Sequence, residues 1–174
     1  NKKRNAPQII ASNIDALLCI CSPENPPFRP RFIDRVCVMG EKQGLEIIIA
    51  LNKDDLRVEE HIRERLQNYS DIGYTVLTCS AVKNRGIDAL KAVLMNKTTV
   101  IIGQSGVGKS SLINTLVPGL QLNTGMVSAK YNRGNHTTVF SMLINMGDMG
   151  FLIDTPGIRE MEVTGISSRE LQFL

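Results

Sequence analysis

The chain has 174 residues, of which 43% are hydrophobic and 21% charged, a composition typical of a globular protein with a buried core. Its net charge of +3 is too small to indicate a nucleic-acid partner by itself. No apolar stretch approaches the roughly 20 residues that cross a bilayer, so we expect a cytoplasmic protein without membrane association. The cysteines at positions 19, 21, 37 and 79 lack the spacing of zinc ligands and are expected to be reduced and buried.

Short apolar runs alternate with amphipathic stretches along the chain. Four prolines between positions 23 and 30 interrupt it early, and Leu120–Asn135 has the weak periodicity of a long functional loop. The predicted strands are Gln8–Ser12, Ala16–Cys21, Leu45–Leu51, Thr75–Cys79, Thr98–Ile102, Thr138–Asn145 and Gly150–Ile153. The predicted helices are Arg31–Lys42, Val58–Asn68, Ile87–Met95 and Lys109–Leu116. This alternation predicts a mainly parallel α/β sheet with helices on both faces.

The segment 103–110 fits the phosphate-binding pattern G-x-x-x-x-G-K-[ST] in full, between a predicted strand and a predicted helix. Glycines let such a loop turn its N–H groups toward phosphate oxygens, and the helix N-terminus adds partial positive charge. Lys109 is expected to neutralise phosphate charge, and Ser110 to supply an oxygen to Mg²⁺. The predicted phosphate-binding residues are Gly103, Gln104, Ser105, Gly106, Val107, Gly108, Lys109, Ser110 and Ser111.

A second motif, Asn52-Lys53-Asp54-Asp55, follows the apolar strand Leu45–Leu51 and matches N-K-x-D, the guanine-selecting motif of GTPases. The Asp55 carboxylate can accept from the guanine ring N–H and the exocyclic amino group together, whereas adenine would leave it unpaired. The aliphatic stem of Lys53 can cover the face of the ring. Ser80-Ala81, after the next strand, resembles the S-A loop that contacts the guanine carbonyl, although a helix cap is an alternative for this short match.

A third motif, Asp154-Thr155-Pro156-Gly157, matches D-x-x-G after an apolar strand. In GTPases the Asp of this motif holds Mg²⁺ through water, and the Gly N–H senses the γ-phosphate. The alternative, a simple Pro-Gly turn, would be preferred if the first two motifs were absent. Asp154 and Ser110 are therefore the predicted metal-side residues.

The order of the motifs is unusual, because N-K-x-D and S-A precede the phosphate loop. A circular permutation of a three-layer α/β/α P-loop fold explains this order, because the helix Ile87–Met95, which would normally be C-terminal, leads directly into what is normally the first strand.

This arrangement resembles the bacterial circularly permuted GTPases that assist late maturation of the small ribosomal subunit. The resemblance rests on the three motifs and on the stretches 10–15 and 134–138, and it covers essentially the whole chain. It implies GTP or GDP as the nucleotide, the small subunit and its rRNA as partners, and a monomer. It also implies an N-terminal OB-fold domain and a C-terminal Zn²⁺-binding domain, neither visible in this sequence, so residues 1–174 are interpreted as the GTPase domain. A second permuted family, acting on the large subunit, remains an alternative, although its usual D-A-R-x-P stretch is lacking here.

Slow intrinsic hydrolysis is expected, because the position after D-x-x-G, where Ras-like enzymes have a water-orienting Gln, is Ile158. His136 is then the candidate to orient water, with a solvent-exposed loop histidine as the alternative. Thr137 or Thr138 would be the switch threonine on Mg²⁺, and Arg133 could stabilise charge or contact a partner. Two other interpretations stay open: a GTP-switch module whose catalytic group comes from the ribosome, and an ATPase, which Asn52 and Asp55 disfavour.

Overall fold

The computed structural model describes residues 13–122 and 142–154. Predictions that fall on residues 1–12, 123–141 and 155–174 lie outside the described residues, and these include the strand Gln8–Ser12. Strands are β1 (Ala16–Cys21), β2 (Glu46–Leu51), β3 (Thr75–Thr78), β4 (Lys97–Gly103), β5 (Met142–Asn145) and β6 (Gly150–Asp154). Helices are α1 (Pro30–Gln43), α2 (Glu60–Ile72), α3 (Ile87–Leu94) and α4 (Lys109–Leu116), with a short 3-10 helix at Gly147–Met149.

The strands of the described chain form one six-stranded sheet in the order β3-β2-β1-β4-β6-β5. Every neighbouring pair is parallel except β5 with β6. The strand β4 lies in the middle of this sheet, whereas β3, which precedes it in the chain, lies at one edge. The connection through α3 therefore crosses the sheet, as the predicted permutation requires.

Two hydrophobic clusters cover the two faces of the sheet, and alternation along the strands assigns each side chain to one of them. In β1, Leu18 and Ile20 pack with α3 and α4 on one face, while Leu17 and Cys19 pack with α1 and α2 on the other. The mainly parallel three-layer architecture is thus as predicted. The cysteines are all buried and free, also as predicted, and Cys19 and Cys21 share a face.

Helix boundaries agree with the prediction to within two residues except at α2. This helix was predicted over Val58–Asn68, but it begins at Glu60 and continues to Ile72. Its last turn forms because Tyr69 is buried three residues after Leu66, and its hydroxyl donates to Asp34 Oδ1 over 2.6 Å. The helix then ends at Gly73, whose φ of 111° suits glycine. Within the described residues, none of the helices is long and apolar enough to cross a membrane.

Candidate nucleotide-binding site

The three sequence motifs meet at one edge of the sheet, where the parallel strands end. Strand β4 runs into the phosphate loop, β2 into Asn52, and β6 ends at Asp154. Ser80 follows β3 at the same edge. In open α/β sheets, ligands bind beyond the carboxyl ends of the strands, so this edge is the expected place for a nucleotide.

The phosphate loop depends on glycine at its tightest points. Gly106 and Gly108 have φ values of 87° and 93°, a region that side chains disfavour. At Gly103 a Cβ atom would lie 2.6 Å from the carbonyl oxygen of Ile20, so β4 could not pack against β1 there. Lys109 then begins α4, which places the helix N-terminus beside the loop.

Lys109 reaches back over the loop that precedes it. Its Nζ donates to the carbonyl oxygens of Gly103 and Gln104 over 2.7 and 3.0 Å. Burial lowers the pKa of Lys109, and the nearby Asp154 carboxylate opposes this shift. The loop therefore holds a partly desolvated cation, and such a charge attracts phosphate more strongly than one in water.

Asp154 is the last residue of β6, and its carboxylate interacts electrostatically with Lys109. Burial raises the pKa of its carboxyl group, and Lys109 partly offsets that rise. Its Oδ1 atom is buried and has no hydrogen-bond partner among the described residues. A buried carboxylate oxygen without a partner is the kind of oxygen donor that Mg²⁺ prefers. Asp154 therefore fits the metal role predicted for it, and Ser110 is half-buried in the first turn of α4.

Asn52 joins the base motif to the two other loops. Its side chain is 2% exposed, and its Nδ2 donates to the carbonyl oxygen of Val107 in the phosphate loop over 2.9 Å. Its Oδ1 accepts from the backbone N–H of Ala81 over 3.1 Å. A Cβ atom at Gly108 would overlap with Asn52 Nδ2, so this contact also requires glycine there.

The carboxylate of Asp55 accepts a hydrogen bond from Ser80 in the S-A loop. Ser80 is fully buried, and its hydroxyl donates to Asp55 Oδ1 while accepting from the backbone N–H of Lys83 over 3.1 Å. The Ser80 hydrogen bond is the main reason why the pKa of Asp55 is lowered. The carboxylate is thus kept ionised and retains lone pairs for further donors.

Two contacts at this edge were not anticipated from the sequence. Asp54 pairs with Arg85 Nη2 over 2.7 Å, and its N–H donates to the carbonyl oxygen of Cys79, so Asp54 connects the two base-side loops. Lys53 Nζ donates to the carbonyl oxygen of Asn25, in the proline-rich turn after β1. No sequence spacing signals either contact, because the partners lie about thirty residues apart.

The other predicted site residues divide into two groups. Gln104 and Ser105 lie in the phosphate loop and Ser111 in the first turn of α4, as the motif requires. His136, Thr137, Thr138, Gly157, Arg133 and Ile158 lie outside the described residues.

A protein-family model described as RsgA GTPase matches residues 1–164 of the chain. The chain belongs to the RsgA GTPase family. Curated relatives are named "Small ribosomal subunit biogenesis GTPase RsgA". The protein from Chlorobaculum parvum is 39% identical over 173 residues, covering 99% of this chain and 56% of its own length. The protein from Borrelia recurrentis is 41% identical, with 99% and 55% covered.

Solved structures of similar proteins agree with this family assignment. The crystal structure of YjeQ from Thermotoga maritima matches with a TM-score of 0.73 and 31% identity, over 92% of this chain and 54% of that one. YloQ, described as a circularly permuted GTPase, matches with a TM-score of 0.62 and 28% identity, over 92% and 50%. The circularly permuted P-loop fold predicted from the motif order is therefore confirmed. This RsgA-family chain spans about half the length of the relatives it matches.

Proposed function

We propose that this chain is the GTP-binding and GTP-hydrolysing domain of a factor that assists late maturation of the small ribosomal subunit. The observation that carries the proposal is the position of Asn52, whose side chain bonds the phosphate loop at Val107 and the S-A loop at Ala81. One nucleotide can then contact the base-side and phosphate-side residues together. The names of the curated relatives support the ribosomal part of the proposal.

Guanine selection follows from the ionised Asp55. Guanine presents a ring N–H and an exocyclic amino group side by side, and the carboxylate can accept from both. Adenine presents no such pair, so in a complex with ATP the carboxylate would lack both of these donors. This geometry disfavours the ATPase alternative.

Hydrolysis requires charge neutralisation more than covalent chemistry. Lys109 would exchange its two carbonyl contacts for phosphate oxygens, and the N–H groups of the phosphate loop would hold the β-phosphate. Ser110 and Asp154 would hold Mg²⁺, which when bound neutralises charge on the transferred phosphoryl group. His136 as water-orienting group, Thr137 or Thr138 as switch threonine and Gly157 as γ-phosphate contact remain predictions.

The remaining parts of the proposal concern the whole protein. We propose rRNA contact on the small subunit, a monomeric state and a cytoplasmic location. The OB-fold and Zn²⁺-binding domains implied by the resemblance remain predictions about the rest of the protein. The large-subunit alternative is not favoured, because the curated relatives are named for biogenesis of the small ribosomal subunit.

Release of phosphate from GTP tests the proposal. The rate would be measured for the full-length protein alone, with small subunits and with large subunits, each with ATP as the control nucleotide. We expect slow hydrolysis of GTP, none of ATP, and stimulation by small subunits only. Equal turnover of ATP would contradict the guanine assignment, and stimulation by large subunits alone would contradict the ribosomal one.

A further inference from the structure

The turn between β1 and α1 lies against the candidate nucleotide site, although its prolines indicated only a chain break. Ser22 is 1% exposed, and its hydroxyl donates to the carbonyl oxygen of Pro26 over 2.9 Å, which closes the turn. A Cβ atom placed on Gly106 would lie 3.5 Å from Pro26 Cδ and 3.8 Å from the carbonyl oxygen of Asn25. The turn therefore lies close to the phosphate loop at Gly106, where any side chain would contact it.

The same turn holds the far end of Lys53. The backbone of Lys53 belongs to the N-K-x-D motif and has a left-handed φ of 65°, while its Nζ donates to the carbonyl oxygen of Asn25. The side chain is thus fixed at both ends, by its backbone within the N-K-x-D motif and by the carbonyl oxygen of Asn25. Its aliphatic stem therefore runs from that motif to the turn close to Gly106.

We propose that the Asn25-Pro26 turn, closed by Ser22, is a positioning element of the nucleotide site. It fixes Lys53 in the place from which its stem, as predicted from the sequence, can cover the purine ring. Ser22 acts as a positioning residue, through Pro26 and Asn25. The inference rests on the proposed function. A long side chain that is ordered before binding loses less rotamer freedom when the ring packs on it, so the complex dissociates more slowly.

Dissociation of a fluorescent GDP from the full-length protein, followed by stopped flow, tests this chain of contacts. Ser22→Ala removes the bond that closes the turn, and Lys53→Met removes the donor but keeps an aliphatic stem. We expect each variant to release GDP about three- to tenfold faster, as loss of one hydrogen bond would produce. The double variant should be no faster than the faster single one, because both changes break the same connection.

Ser22→Thr retains the hydroxyl donor and should release GDP at nearly the native rate. Thr99→Val alters a buried hydroxyl that has no role at this site, and it should leave the rate unchanged. Native-like release from both Ser22→Ala and Lys53→Met would overturn the inference, and so would effects that multiply in the double variant. In either case the proposed function would still stand as long as the native protein binds GDP. If Ser22→Ala does not fold, native-like release from Lys53→Met overturns it. Failure of the native protein to bind GDP would overturn both.

Discussion

Asn52 Nδ2 lies 2.9 Å from the carbonyl oxygen of Val107, although 55 residues separate them in the chain. The contact joins the end of β2 to the phosphate loop after β4, across the intervening strand β1. Because Asn52 also accepts from Ala81, a single buried amide fixes three loops relative to one another. The loops that are predicted to bind the base and the phosphates are therefore prearranged by the protein itself.

Replacing Asn52 with alanine should weaken nucleotide binding, because it removes both hydrogen bonds that join the three loops. The substitution leaves the carbonyl of Val107 and the N–H of Ala81 without their partner, and each lost bond costs about 0.5–1.5 kcal/mol. We expect the Kd for GDP to rise about 10- to 100-fold, measured by fluorescence titration. Asn68→Ala, on the exposed side of α2, is the matched control. Native affinity in Asn52→Ala would show that the contact has no part in binding.

Lys109→Ala should remove GTP hydrolysis, because no other cation of the described residues lies in the phosphate loop. We expect single-turnover hydrolysis to fall at least about 100-fold, the usual effect of removing one group that stabilises transition-state charge. Lys91→Ala on α3 should hydrolyse GTP at the native rate. Unchanged turnover in Lys109→Ala would end the assignment of this segment as the phosphate loop.

Asp154→Asn should make the nucleotide-free protein more stable and less active. Burial raises the pKa of Asp154 in the folded protein above its usual 3.8. At pH values between 3.8 and this raised pKa, the folded state therefore binds more protons than the unfolded chain. The contribution of this group to stability is present at low pH and is lost as the pH rises through the raised pKa. Asp154→Asn has no side chain to ionise, so its stability should not fall in this way as the pH rises.

The melting temperature as a function of pH checks this prediction. Asp154→Asn should melt above the native protein at neutral pH and close to it near pH 3, while losing the Mg²⁺ dependence of GTP binding. Asp148→Asn, in the exposed 3-10 helix, should behave like the native protein at both pH values. A lower melting temperature for Asp154→Asn at neutral pH would mean that its carboxylate is paired in the fold.

Thr99→Val should stabilise the domain without affecting the site. Thr99 is fully buried in β4, and its hydroxyl has no hydrogen-bond partner among the described residues. An isosteric methyl group removes that desolvation cost, so we expect the free energy of unfolding to rise by about 1 kcal/mol. Thermal unfolding should show a gain of about 2–4 °C, absent from Thr98→Val at the neighbouring half-exposed position. A destabilised Thr99→Val would imply a partner for this hydroxyl.

Much of the fold followed from the sequence because its signals are local. The apolar run before Asn52 predicted a central strand, and Gly44 marked the end of α1. Alternation also placed Cys19 and Cys21 on one face of β1. The end of α2 was missed because Tyr69 is held by Asp34 of another helix, a contact that no local pattern encodes.

The candidate site was predictable at the level of its motifs but not of its connections. Glycine spacing and the N-K-x-D pattern predict the groups that would contact the nucleotide, and the fold brings these groups to one edge of the sheet. The contact between Lys53 and Asn25 and the pairing of Asp54 with Arg85 depend on how loops after different strands approach each other. Such contacts are set by the tertiary fold, so they could only be found in the structure.

We propose that Asp55 selects the base in the same site in which Lys109 binds the phosphates, and the base preference of an Asp55 variant is the decisive measurement. Xanthine carries a carbonyl where guanine has its amino group, so Asn at position 55 could donate to that carbonyl while accepting from the ring N–H. Competition between GTP and XTP should therefore show a preference for GTP in the native protein and in the control Asp71→Asn, and a reversal of at least about 100-fold in Asp55→Asn. A variant Asp55→Asn that still prefers GTP would contradict the account.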